Sequence, residues 1–265
     1  VAGAHGLPCH RKARGGDRPA GDGIRPMNSL PATACRALDV YGGESFWRTA
    51  RSVQAVVSAS GLAFILKWRR PFDRIAVGCT IGEPHVRLTP IDRSGNTGVL
   101  KDGDVFLEDP SGITIARRER ARAYFPYGRR LFLWDSLDQT YFVGYALWNY
   151  LVFPSLLLRQ DIQWEETSPH RLRATFPKNI PTHSREQEFL FDAVSGLLIQ
   201  HNYTAEVMGG WAKAANVVTE HGTWRGIPFP SHRRVTARKK DGSPVGGPVL
   251  IDLTIHEWSV VSESD

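Results

Sequence analysis

Cysteine and methionine are scarce in this chain, with three Cys and two Met among 265 residues. Cys9, Cys35 and Cys79 are too few and too dispersed for a disulfide framework or a zinc site. Reduced thiols in a cytoplasmic setting fit them best, and neither a metal nor a cofactor is expected. Catalytic signatures are also missing. There is no G-x-S-x-G elbow, no H-E-x-x-H pair, no phosphate-cradling glycine loop and no dinucleotide fingerprint; the glycines fall at turns. Long apolar runs are nearly absent. The exception, residues 141–158, is 18 residues without a charge, the lower bound for crossing a bilayer. Asn149, Gly144, Pro154 and strand-like patterns on both sides argue for a buried helix rather than a transmembrane span. No secretory signal is visible in the first 26 residues, which are rich in Gly, Arg and Pro. Met27 is the expected natural start, and residues 1–36 are expected to be disordered or extended.

What is present is a globular composition, 42% hydrophobic and 23% charged. Eight Trp, twelve Phe and seven Tyr supply bulky material for a core or for cavity walls. The net charge of +6 invites a nucleic-acid reading, but its distribution weakens that reading. The clusters Arg117, Arg118, Arg120, Arg122 and Arg233, Arg234, Arg238, Lys239, Lys240 are interrupted or flanked by Glu119 and Asp241. They read as solvated strand faces and turns, and no specific nucleic-acid partner is expected.

Periodicity gives the architecture. Residues 37–57 carry Phe46, Trp47, Ala50, Val53 and Val57 at roughly helical spacing. From Gly61 the period changes to two, with strands expected at 62–68, 73–79 and 85–90. Asp102-Gly103 and Asp109-Pro110-Ser111-Gly112 are turn signals between short apolar runs. After a break at 125–128, a strand-like 130–134 leads to Asp135-Ser136 and a helix over 137–153. Leu137, Tyr141, Tyr145, Trp148 and Val152 form one stripe of that helix, and its other side is barely more polar. Strands resume at 171–176, 187–191, 197–207, 212–223, 233–238 and 249–258, with residues 226–230 as a connection. The fold class is therefore mainly β: a curved antiparallel meander packed around one aromatic-rich helix and an N-terminal helix. Residues 37–265 are read as one domain.

Histidines and one carboxylate are the candidate chemical groups. Alternation over 197–207 places Leu197, Ile199, His201, Tyr203, Ala205 and Val207 on the inner face. His201 is then either a polar anchor or acid/base inside a cavity, or a core histidine bonded to a neighbour. His183 lies in a rigid-looking connection that would line a cavity mouth, and His221 ends another strand. Asp135 and Asp138 sit at a helix N-terminus, where the helix dipole favours them without any function.

Taken in order, these features resemble the half-barrel fold of the outer-membrane lipoprotein carrier proteins and their mycobacterial lipoprotein relatives. The points of similarity are the helix near Tyr41-Gly42-Gly43 and Trp47, the long meander, the apolar helical insertion and the late Gly226-Ile227-Pro228 connection. They span roughly residues 37–260, and they are points of pattern that transfer no site residue. The chain departs from those families in lacking a signal peptide and a lipobox cysteine. The resemblance implies a cavity for an acyl chain or another apolar molecule. The expected function is binding of a hydrophobic small molecule or lipid, with Tyr141, Tyr145, Trp148, His183, His201 and Tyr203 lining the site. The alternative is an enzyme acting on an apolar substrate in the same cavity, with His201, Tyr203 or Asp135 as acid/base.

Overall fold

The structure, a computed structural model, describes residues 30–262, so most of the segment 1–36 expected to be disordered or extended lies outside the described residues, and its end, from Ala32, is helical instead. Helices α1 (Ala32–Val40) and α2 (Glu44–Thr49) open it, followed by strand β1 (Ala50–Ser60) and the short helix α3 (Leu62–Leu66). A meander follows: β2 (Phe72–Thr80), β3 (His85–Thr89), β4 (Thr97–Lys101), β5 (Asp104–Glu108) and β6 (Thr114–Arg118). Two 3-10 turns, Ala121–Tyr124 and Gly128–Leu131, lead to helix α4 (Ser136–Leu151) and the single turn α5 (Phe153–Leu156). The second meander is β7 (Gln163–Ser168), β8 (Arg171–Thr175), β9 (Glu186–Phe191), β10 (Leu198–Thr204), β11 (Lys213–Trp224), β12 (Ile227–Ala237) and β13 (Ile251–Ser262).

All thirteen strands join in one antiparallel sheet ordered β6-β5-β4-β3-β2-β1-β13-β12-β11-β10-β9-β8-β7. The first and last strands pair with each other at its centre, Val53 opposite Val260 and Ala59 opposite Leu253. The edges β6 and β7 stay unpaired, so the sheet is a half-barrel and not a closed barrel. The connection between those two edges contains α4, which crosses the concave side against β3, β4 and β5. Nearly every residue of α4 is buried, as expected for a helix without a polar face. Two glycines permit this close seating: Gly98 on β4 faces Thr140, and Gly144 faces Leu100.

Four local expectations are corrected. The helix expected over 37–57 is two short helices, and from Ala50 the chain is strand β1. Val53, Ala55, Val57 and Ala59 are all buried there, a period of two that the sparser spacing of Phe46, Trp47, Ala50 and Val53 disguised. The strand expected at 62–68 is helix α3. Gly61, at φ +124°, turns the chain so that the Leu62 and Ala63 amides donate to the Val249 and Leu250 carbonyls. The strand expected at 130–134 is largely 3-10 turn. The expected connection at 226–230 is mostly strand β12, and β7 was not foreseen. Helix α4 and the remaining strands lie within a few residues of their expected positions.

Candidate ligand-binding site

Asp135 caps α4. Its carboxylate accepts from the Asp138 amide at 2.8 Å, and the Asp138 carboxylate accepts from the Asp135 amide at 3.1 Å, a reciprocal capping box. Arg118 donates to both carboxylates, to Asp135 Oδ2 at 2.8 Å and to Asp138 Oδ1 at 2.6 Å. Arg129 and Arg130 complete the cluster. Burial pushes the Asp135 carboxyl up, but Arg118, the Asp138 amide and Arg129 outweigh it and hold it well below the usual carboxylate range. From Asp135 to Tyr150 is fifteen helical residues, roughly 22 Å. Asp135 therefore belongs to a different cluster from His201 and Tyr203, which lie beside Tyr150.

At the other end of α4 the inner strand faces converge. Tyr150 Oη lies 2.8 Å from His183 Nε2 and 2.8 Å from Tyr203 Oη. The His183 ring stacks on Tyr203 with centroids 3.6 Å apart. His201 stacks on Phe189 and bonds Gln187 through Nε2 at 2.6 Å. His183 and His201 are 6.1 Å apart between centroids, and His221 lies elsewhere, against the Tyr41 hydroxyl. Among the described residues no group of three or more His, Cys, Asp or Glu side chains is placed to hold a metal ion. The Tyr141 and Tyr145 rings continue the cluster, Tyr145 edge-on to His183. Trp148 is fully buried and donates from Nε1 to the Thr80 carbonyl at 2.9 Å. The structure thus brings His183, His201, Tyr203, Tyr145 and Tyr141 together around Tyr150, whereas Trp148, between Tyr145 and Tyr150 in the helix, turns its ring to Thr80 and Arg159 instead.

Burial dominates the electrostatics of this interior. It pushes the His183 imidazole well below its ordinary value, with the charges of Arg122 and Arg233 acting in the same direction. It does the same to His201, helped by His183 and Arg233. Burial raises the tyrosines, Tyr150 to about 12 and Tyr145 and Tyr203 well above their ordinary value. At neutral pH the cluster holds neutral imidazoles and protonated phenols.

Reasoning from sequence alone missed Arg233 and Asn216, which face this interior from β12 and β11. Arg233 is 1% exposed and lies over the Tyr150 ring at 4.8 Å, so its place among solvated strand residues is corrected. Its parity with Phe229 and Val235 in Phe229-Pro230-Ser231-His232-Arg233-Arg234-Val235 is the signal that would have found it. Among the described residues, Arg233 Nε, Nη1 and Nη2, both ends of the Asn216 amide, Tyr145 Oη and His183 Nδ1 are buried without a hydrogen-bond partner. On β10 a bulge places Leu198 inside and leaves Ile199 41% exposed, opposite to simple alternation. His201 and Tyr203 keep their inward direction.

Two narrow apolar voids flank α4, each of about 10 Å³. One is lined by Phe64, Trp134, Phe142 and Met208, the other by Tyr41, Tyr150, Phe229 and Trp258. Each has room for about one water molecule. Larger clefts lie on the outside: about 530 Å³ between charged residues such as Arg171, Arg238, Lys240 and Glu186, and about 590 Å³ beside Trp68, Arg70 and Asp92. No helix among the described residues is long and apolar enough to cross a membrane.

No protein-family model matches the chain, and no curated protein matches its sequence. Solved structures do match its fold. A LolA superfamily protein from Nitrosomonas europaea has a TM-score of 0.45 at 9% identity, covering 87% of this chain and 93% of its own. A putative outer membrane lipoprotein-sorting protein domain from Vibrio parahaemolyticus has a TM-score of 0.45 at 9% identity, over 88% of this chain and 94% of its own. A DUF1329 family protein from Desulfovibrio piger is also similar, with a TM-score of 0.43 at 12% identity over 88% of this chain and 93% of its own.

Proposed function

We propose that the half-barrel binds one hydrophobic small molecule or lipid between α4 and the concave face of the sheet, with Tyr141, Tyr145, Trp148, His183, His201 and Tyr203 along its path. The observation that carries this reading is an exposed apolar rim. Ile65 (67% exposed), Leu66, Trp68 (80%), Leu131, Phe132 (70%) and Leu133 project from α3 and from the segment before α4. The two segments are tied together, since Lys67 Nζ donates to the Arg130 and Leu131 carbonyls and the Trp134 amide donates to the Lys67 carbonyl. Between them and Met208 of the β10–β11 hairpin lies the first narrow void. Exposed apolar side chains gathered in this way mark a binding surface rather than ordinary surface scatter. Trp68 sharpens the point, because it is held at φ +56°. That conformation costs a bulky residue about 1–2 kcal/mol, and an exposed ring returns none of it through folding.

In this reading the structure is the closed form, and the ligand parts α4 from α3 and the hairpin to reach the aromatic interior. The test is extraction of the purified protein into mild organic solvent with mass spectrometry of the extract, followed by thermal melts of the stripped protein with saturated fatty acids and phospholipids. A stoichiometric apolar compound, or a ligand-dependent rise in Tm, is expected. An empty extract together with melts that ignore the whole panel would overturn the reading.

A further inference from the structure

Arg233 is fully buried, and none of its three guanidinium nitrogens has a hydrogen-bond partner among the described residues. A guanidinium carries five N–H donors and keeps its charge in proteins. Taking such a charge out of water without a counter-ion is among the least favourable acts in folding. The Tyr150 ring at 4.8 Å answers part of the charge from one face and none of the donors. Other inward-reaching arginines are treated differently: Arg118 bonds both Asp135 and Asp138, and Arg122 bonds the Thr182 carbonyl and Glu206. Among the described residues, then, no anion is placed to answer Arg233.

Its surroundings narrow the chemistry. Asn216, buried on the neighbouring strand, approaches the Tyr150 hydroxyl, but neither end of its amide reaches a well-formed hydrogen bond. Its position opposite Val235, with Arg233 opposite Val218, makes the two side chains diagonal neighbours on the concave face. Tyr41 and Tyr150, whose oxygens lie within the field of Arg233, also line the second narrow void, so the site borders the apolar interior. Arg122, the other cation acting on His183, is already paired with Glu206, and the phenols and imidazoles nearby are neutral at physiological pH, which leaves the charge of Arg233 to be matched by one negative charge. A planar fork pairs best with two coplanar oxygens.

We infer that Arg233, assisted by Asn216, anchors the carboxylate of the hydrophobic ligand, which is a long-chain monocarboxylic acid. This rests on the function proposed above. The carboxylate oxygens accept from the guanidinium and the Asn216 amide, and the chain of the acid lies among the aromatic rings of α4. No bond is made or broken.

The test uses the stripped full-length chain at pH 8 and compares palmitate, hexadecanol and palmitoyl-lysophosphatidate by displacement of a fluorescent apolar probe. Palmitate should bind about 30-fold more tightly than hexadecanol, the scale of one set of charge-assisted hydrogen bonds. In Arg233→Met the preference should fall to within about threefold, while the unliganded variant melts no lower than the parent. Equal binding of acid and alcohol by the parent protein would overturn the carboxylate anchor and leave hydrophobic binding standing. Binding of neither would overturn both. Tighter binding of lysophosphatidate than of palmitate would replace the carboxylate by a phosphate. Should Arg233→Met fail to fold, bound [1-13C]palmitate decides in the parent protein. Its carboxyl carbon should stay in the ionised state to a lower pH than in free solution, and an upward shift of its titration would refute the contact.

Discussion

Replacing Gly98 by alanine tests the seating of α4 on the sheet, because everything proposed for the interior depends on it. A Cβ at Gly98 would lie 2.4 Å from Thr140 Oγ1, 3.0 Å from Thr140 Cγ2 and 3.2 Å from Ile91 Cγ1. Thr140 has no free rotamer to offer, since it is fully buried and its hydroxyl donates to the Ser136 carbonyl at 2.7 Å. Overpacking of this kind costs about 1–3 kcal/mol, and the loss of glycine's unfolded-state freedom returns about 0.5–1 kcal/mol. The net loss expected for Gly98→Ala is about 1 kcal/mol. Thr140→Ala alone should cost about 1–2 kcal/mol, for one buried hydrogen bond and one methyl. In the double variant the new Cβ occupies the space that Thr140 vacates. The double variant should therefore be no less stable than either single one, a coupling of about 1–2 kcal/mol. Urea unfolding of the four proteins measures it, with an unchanged m-value as the check that folding remains two-state. Additivity within about 0.5 kcal/mol would mean that Thr140 does not face Gly98 and that α4 sits elsewhere.

Asp138→Ala removes a fully buried carboxylate from Arg118 and Arg130, each at 2.6 Å, and breaks the capping box. Because Arg118 keeps Asp135, the expected loss in urea unfolding is about 3 kcal/mol, and a loss below about 1 kcal/mol would count against the buried network. Asp135 titrates below the usual range in the folded chain, so its contribution is complete above the unfolded carboxylate value and is lost as pH falls through the folded one. The urea midpoint should hold steady from pH 7 to about 5 and fall below about pH 4. The acid decline of Asp135→Asn should be shallower, and an identical decline would refute the assignment. Phe132→Glu on the rim and Trp211→Glu in the β10–β11 hairpin, beyond Met208, alter side chains that are 70% and 80% exposed. Stability should stay within about 0.5 kcal/mol, while uptake of a fluorescent fatty acid slows in stopped-flow traces; unchanged uptake would move the way in elsewhere.

Periodicity revealed the meander, the crossing helix and the inward pair His201 and Tyr203, because strands with one buried face and turns such as Asp102-Gly103 write themselves plainly. It misjudged α3, where Leu62-Ala63-Phe64-Ile65-Leu66 has no period to distinguish a buried strand from a short helix. The outcome there is set by Gly61 and by the Val249 and Leu250 carbonyls, almost two hundred residues away. The Leu198 bulge reversed a simple alternation for a similar reason, since register against β9 is settled by the partner strand. His183 was legible as a polar residue in a stiff connection, but its stacking on Tyr203 joins two segments that no local pattern links. Arg233 is the most instructive miss. A basic residue among basic neighbours reads as surface, and only its parity with Phe229 and Val235 betrays the inward direction.

The closed interior sets a minimum size for the ligand. Reaching the aromatic cluster through the rim uncovers Phe64 and Trp134, which are 5% and 4% exposed, and further uncovers the partly buried Phe142 and Met208. At about 1.5–3 kcal/mol per fully buried side chain, opening costs roughly 5–9 kcal/mol. Each methylene brought out of water returns about 0.8 kcal/mol. Six to eight methylenes then offset about 5–6 kcal/mol, which only begins to balance the opening, whereas fourteen to sixteen offset about 11–13 kcal/mol. Affinity across saturated chains should therefore show a threshold: negligible binding at eight carbons, and binding that strengthens steeply between about ten and sixteen. A flat series, with octanoate as tight as palmitate, would place the ligand on the exposed rim of Trp68 and Phe132 and leave the interior as plain core.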